Sequence, residues 1–97
     1  MPTFITLGNF TEQGIKSIKD SVKRSEAVKE MGKKFGVATK DIYWTMGVYD
    51  LVGVFEAPNG ESMSAFSLAI GMAGNLRGNT LRAFAKEEMS GILKKLA

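Results

Sequence analysis

The sequence predicts an α+β domain of the split βαβ, ferredoxin-like kind: a four-stranded antiparallel sheet with helices on one face and an added C-terminal helix. Three observations predict it. Segments with strand and helix character succeed one another as β-α-β-β-α-β, and a short helix closes the chain. The breaking residues Gly36, Gly47, Pro58-Asn59-Gly60 and Gly74 fall between those segments. The length of 97 residues suits one domain, 1–97, with no linker or repeat to divide it.

Each element has its own reason. Residues 3–10 are rich in β-branched and aromatic side chains and read as a first strand. Thr11 comes next as an N-cap, with Gly14 rather than Glu three positions on, so no full capping box forms. Ile15, Ile18, Val22, Val28, Met31 and Phe35 recur at the spacing of one face of a long helix. Asp20-Ser21 is a point of irregularity within it, and Gly36 is placed to end it. Residues 40–46 and 51–57 are two strands, joined through Gly47-Val48-Tyr49-Asp50. After the Pro58 break, residues 61–73 form a second helix, residues 76–84 a fourth strand and residues 86–96 the last helix, with Met89, Leu93 and Leu96 (or Ile92) facing inward. The first and third strands are expected at the centre of the sheet.

Composition excludes several chemistries. Cysteine and histidine are absent, which removes disulfides, thiolate nucleophiles, histidine-ligated metals and Ser-His-Asp triads. No metal site is expected, and the residues identify no cofactor. The net charge is +3. The basic stretch from Lys16 to Lys34 is interleaved with Asp20, Glu26 and Glu30, and Glu12–Lys16, Asp20–Arg24 and Glu30–Lys34 place the acid four residues ahead of the base. That pattern describes a solvated helix face, so no nucleic-acid partner is expected. Apolar runs are short, so no membrane partner is expected either. The opening Met-Pro-Thr-Phe-Ile-Thr lacks the basic and apolar regions of a secretion signal, which makes the cytoplasm the expected location.

Alternation along the strands divides the sheet residues into two sets. Ile5, Leu7, Val52, Val54, Leu81 and Ala83 form an aliphatic set, which is expected to pack on the helices. Phe4, Thr6, Gly8, Leu51, Gly53, Phe55, Thr80, Arg82 and Phe84 form a mixed set, expected on the uncovered face with Tyr43 and Thr45. Large apolar residues in that set call for a cover, and a second copy of the chain supplies it, giving an isologous homodimer in the form of a dimeric α/β barrel. The second helix carries charge only at Glu61, which points to a further contact surface and a larger homo-oligomer.

Several segments resemble one known family. The opening Met1-Pro2-Thr3-Phe4-Ile5-Thr6-Leu7-Gly8-Asn9-Phe10-Thr11, the Tyr43-Trp44-Thr45-Met46-Gly47-Val48-Tyr49-Asp50 stretch, Val54-Phe55-Glu56-Ala57-Pro58, Gly74-Asn75-Leu76-Arg77 and Thr80-Leu81-Arg82-Ala83-Phe84 resemble GYD-domain proteins. The resemblance runs along nearly the whole chain. It implies a small protein of the dimeric α/β-barrel type and little about function.

Four places in the chain could carry a site. A ligand cleft on the mixed sheet face would use Thr6, Tyr43, Thr45, Phe55, Thr80 and Arg82 to take a small organic acid or aromatic molecule, with Arg82 gripping a carboxylate. The bland alternative is that these residues fill a dimer core. The turn motif Gly47, Tyr49 and Asp50 either presents a phenol and a carboxylate or simply ties local backbone. Pro2, if exposed as an N-terminal amine, would resemble the base of small tautomerases. Asn75-Leu76-Arg77-Gly78-Asn79 could hold an anion but lacks the strand-to-helix context of a phosphate loop. The reading that best fits is an oligomeric small-molecule-binding or regulatory module rather than an enzyme. A cofactor-free monooxygenase or isomerase acting through Arg82 and Tyr43, and a purely structural assembly protein, are the alternatives.

Overall fold

The computed structural model describes residues 1–96. Strand β1 (Thr3–Phe10) leads into a helical segment in three parts: α1 (Glu12–Lys16), a 3₁₀ turn at Ile18–Asp20, and α2 (Ser21–Lys33). Strands β2 (Ala38–Trp44) and β3 (Leu51–Glu56), helix α3 (Gly60–Met72), strand β4 (Leu76–Ala83) and helix α4 (Lys86–Leu93) complete it, with a 3₁₀ turn at Lys94–Leu96. The sheet order is β2-β3-β1-β4, every neighbouring pair antiparallel. The ferredoxin-like arrangement and the central β1 and β3 are therefore as the sequence predicts. No helix among the described residues is long and apolar enough to cross a membrane.

Local chemistry explains the boundaries. The Thr11 hydroxyl accepts the Gly14 N–H at the start of α1, and Asn59 Oδ1 accepts the Ser62 N–H at the start of α3. Gly36, Gly47 and Gly74 have positive φ, which suits glycine at the ends of α2 and α3 and in the β2–β3 turn. The irregularity expected at Asp20-Ser21 is the 3₁₀ turn, and it rotates the buried face of α2 relative to α1. Ile15, Ile18 and Val22 are left exposed, whereas Ser21, Val28, Met31 and Gly32 turn inward with Phe35. The single apolar stripe expected along this helix is therefore two stripes, of which only the second reaches the core. Of the ion pairs expected on it, Glu12–Lys16 forms, Glu30 pairs with Lys33 rather than Lys34, and Arg24 turns instead to the Ser17 and Gly14 carbonyls.

The assignment of the two sheet faces is the principal correction. Phe4 and Phe55 are directly opposite across β1 and β3, and both lie beneath the helices with Phe66 and Met63 of α3 and with Val37. Phe66 is completely buried and meets Phe55 edge-on with ring centroids 5.4 Å apart. The mixed set thus faces the helices, and the aliphatic set, Ile5, Leu7, Val52, Val54 and Leu81, forms the open face. The reason is volume. Gly53 leaves space on the helix side that the Phe55 ring fills, and Gly8 leaves space that Leu76 fills: a Cβ on Gly53 would stand 2.5 Å from the Phe55 ring. Flat, branched aliphatics make no such interlocking surface.

The chain is also less compact than its length implies. Its radius of gyration is 14.5 Å, against ~12.5 Å for a chain of this size from the usual scaling. Helix α4 packs mainly on the 3₁₀ turn that follows it, with Met89 and Leu93 exposed along one side. The inward packing expected for Met89, Leu93 and Leu96 is not seen within the single chain.

Candidate functional site: a groove beside the edge strand

Strand β4 lies at the sheet edge, and its helix-facing residues Gly78, Thr80 and Arg82 remain exposed beside α3, which reaches the strand through Ser67. Helix α3 buries Met63 and Phe66 against β1 and β3, so Ser64, Ser67 and Leu68 overlook β4 across a groove of 830 Å³. Three of the six residues expected in a ligand cleft, Thr6, Thr80 and Arg82, line it.

The groove floor carries a chain of hydroxyls. Thr6 Oγ1 is 2.9 Å from Thr80 Oγ1, which is 3.2 Å from Ser67 Oγ. Gly78 permits this approach, because a Cβ there would meet the Thr6 methyl at 2.9 Å. Arg82 closes one end. Its guanidinium donates to the Thr3 and Ala83 carbonyls, pairs with Glu88 of α4 at 2.8 Å, and lies 4.5 Å from the Phe84 ring centroid. The Arg82 hydrogen bond first, then the Ala85 N–H, hold the Glu88 carboxyl below the usual glutamate range. Arg82 is therefore both a groove residue and the anchor that sets the direction of α4.

The other three expected residues lie elsewhere. Phe55 is in the core, Tyr43 is exposed on the opposite, open face, and Thr45 lies beyond the end of β2, where its hydroxyl donates to the Tyr49 carbonyl. A cleft of all six is not assembled in the single chain. Ser67 was not among the residues expected from sequence. Ser64 and Ser67, three apart on a helix with no charge beyond Glu61, were the available signal.

The Gly47-Tyr49-Asp50 turn is a structural lock. Asp50 Oδ2 accepts the Phe10 N–H at 3.0 Å, the Asp50 N–H donates to the Gly8 carbonyl, and Asn9 donates its side-chain amide to the Val48 carbonyl. The turn thereby fastens the β2–β3 connection to the end of β1, forty residues away in sequence, rather than only to local backbone.

Comparison with known proteins agrees with this architecture. The GYD domain family model matches residues 4–93. The "Glutamine synthetase and cystathionine beta-lyase binding protein" of Thermus thermophilus is 30% identical over 95 residues, 97% of this chain and 100% of that protein. The crystal structure of TTHA0845 from the same organism superimposes with a TM-score of 0.55 at 22% identity, covering 88% of this chain and 95% of that one, a likeness of fold.

Proposed function

Because this chain belongs to the GYD domain family, we propose that it is a cytoplasmic, self-associating regulatory module that docks on other proteins and responds to a small organic ligand. The observation that carries this reading is the open sheet face. Ile5 stands between Val54 and Leu81 in register, and Leu7 opposite Val52, so five aliphatic side chains form one contiguous patch without a cover in the single chain.

A second copy fits that patch by an isologous stacking of sheets. The patch sits within a sheet face whose longest strands have 8 residues and whose width is four strands. At ~3.3 Å per residue and ~4.8 Å per strand the flat footprint is on the order of 500 Å². That is the same order as the ~800 Å² per partner of a stable interface. The exposed apolar side of α4 widens it. The relative's name supports the docking role, with glutamine synthetase and cystathionine β-lyase as the partners to try first. The ligand role is supported by Thr6, Thr80 and Arg82 sharing the groove on the helix side.

Light scattering after size exclusion tests the pairing. The expected mass at micromolar concentration is a dimer or larger, and Leu7→Glu is expected to give a folded monomer. The purified enzymes from the same organism are expected to bind the wild type and not that monomer. A monomeric wild type would refute the self-association.

A further inference from the structure

We infer that α4 is an exchanged arm: in the paired protein it lies on the second copy, against the corner formed by Tyr43, Met46 and Val48. This rests on the self-association proposed above and names a second contact, one that the sheet face alone does not provide.

Helix α4 carries an apolar stripe that stays in water. Met89, Leu93 and Leu96 recur at i, i+4 and i+7 along the helix and its closing 3₁₀ turn, and all three are exposed, as is Phe84 just before them. Within the chain, α4 packs mainly on that 3₁₀ turn. Its tie to the rest is polar: Glu88 pairs with Arg82 and accepts the Ala85 N–H. A helix of 8 residues is marginal in water unless its apolar side is packed. The surface that packs it is not supplied by the described residues of its own chain.

A second apolar cluster stands in water at the other end of the sheet. Tyr43 continues the row of Leu7 and Val52 onto the edge strand β2, on the open face, and Met46 and Val48 are exposed on the turn that follows. The turn is stiff. The Thr45 N–H donates to the Asp50 carbonyl, the Thr45 hydroxyl donates to the Tyr49 carbonyl, and Asn9 reaches the Val48 carbonyl from the open-face side of β1. A surface ordered in advance loses little entropy on binding.

Topology makes these two clusters mates. Strands β2 and β4 are the opposite edges of the sheet. Helix α4 leaves β4 at the end where Ala83 pairs with Thr3, and the Tyr43 corner lies at the end where Leu51 pairs with Gly8. The clusters therefore occupy diagonally opposite corners. A strand of 8 residues spans ~26 Å, so α4 is a sheet's length from the Tyr43 corner of its own chain. Stacking two open faces about a two-fold axis along the other diagonal brings each α4 to the other copy's Tyr43 corner, both contacts at once. The strands of the two sheets then cross steeply, toward the orthogonal class of sheet packing.

Area and charge agree with exchange. The sheet face gives on the order of 500 Å² per copy, against ~800 Å² for a stable pair. The helical segment from Lys86 to Leu96 is ~16 Å long and ~10 Å wide, a footprint of ~160 Å². Each copy gives one such segment and receives one, so exchange adds ~300 Å² per copy and makes up the difference. Asp41, two residues before Tyr43 on the same face, has no ion-pair partner among the described residues, and the arm ends in Lys94 and Lys95.

The test begins with two positions that are exposed in the single chain. Leu93→Glu and Val48→Glu are each expected to fold with unchanged circular dichroism and to raise the Kd of the dimer by at least ~10-fold, read by light scattering over a dilution series. The chain has no cysteine, so the contact itself can be trapped. Equal mixtures of Leu93→Cys and Val48→Cys chains, treated with a short bis-maleimide, are expected to give covalent dimers of one chain of each kind, and either kind alone none. Amide exchange in α4 is expected to slow as the protein is concentrated. A Leu93→Glu protein that pairs like the wild type while Leu7→Glu does not overturns the arm and leaves the sheet pairing standing. Mixed chains that fail to couple overturn the Tyr43 corner as its seat. A wild type that stays monomeric at micromolar concentration removes both.

Discussion

Phe55 and Val54 are neighbours on β3 that point to opposite faces of the sheet, and truncating each in turn tests which face the helices cover. Phe55 is 3% exposed, opposite Phe4 and edge-on to Phe66. A buried phenylalanine removes on the order of 150–250 Å² from water, which at ~25 cal/mol per Å² is ~4–6 kcal/mol gross. The alanine that remains and partial collapse of the site bring the expected cost of Phe55→Ala to ~3–5 kcal/mol. For a domain whose total stability is ~5–15 kcal/mol, that is a large share, and it corresponds to a fall in Tm of more than ~10 °C. Val54 is only partly buried, on the open face, so in dilute, monomeric protein Val54→Ala is expected to cost ~1 kcal/mol, well below the cost of Phe55→Ala. Any larger effect should appear only as the protein is concentrated and copies pair. Urea unfolding monitored by circular dichroism over a range of protein concentrations separates the two. A Val54→Ala cost equal to that of Phe55→Ala, independent of concentration, would refute the assignment of faces.

Three further outcomes are expected. Gly53→Ala forces a Cβ to within 2.5 Å of the Phe55 ring and should cost ~1–3 kcal/mol by overpacking, measured in the same unfolding assay and reduced in the Phe55→Leu background. Asp50→Ala leaves the Phe10 N–H without its acceptor; a loss of ~1–3 kcal/mol is expected, and hydrogen exchange should quicken at Phe10. The third concerns pH. The carboxyl of Glu88 is held below the usual glutamate range in the folded chain, so its contribution is present above that range and is lost as pH falls through the lowered value. The Met89 amide, which donates to the Ala85 carbonyl in the first turn of α4, should lose exchange protection on acidification, and Arg82→Ala should lower that protection at neutral pH and shift its loss to higher pH.

Much of the fold was legible because its signals are local. Turn residues at Gly36, Gly47, Pro58 and Gly74 separate segments whose periodicity names their type, and the order of segments then leaves one common arrangement of strands. The groove was legible in part. Thr6 and Thr80 were expected together, and the register places them opposite one another. Ser67 was not, since it joins them from a helix whose rotation about its axis depends on where Met63 and Phe66 find room. Tyr43 was expected beside them and lies across the sheet.

The sequence by itself determined the order of the elements, the central place of β1 and β3, the Gly47-Tyr49-Asp50 turn, and the absence of thiol and imidazole chemistry. It also determined which side chains of one strand share a face, because alternation along a strand has a period of two. It did not determine which of the two faces lies under the helices. Both sets hold enough apolar residues to be buried, and a period of two divides them without assigning them. Tertiary packing made that assignment: Phe66 and Met63 arrive from α3 and pack with Phe4 and Phe55, on the face where Gly53 makes room for the Phe55 ring.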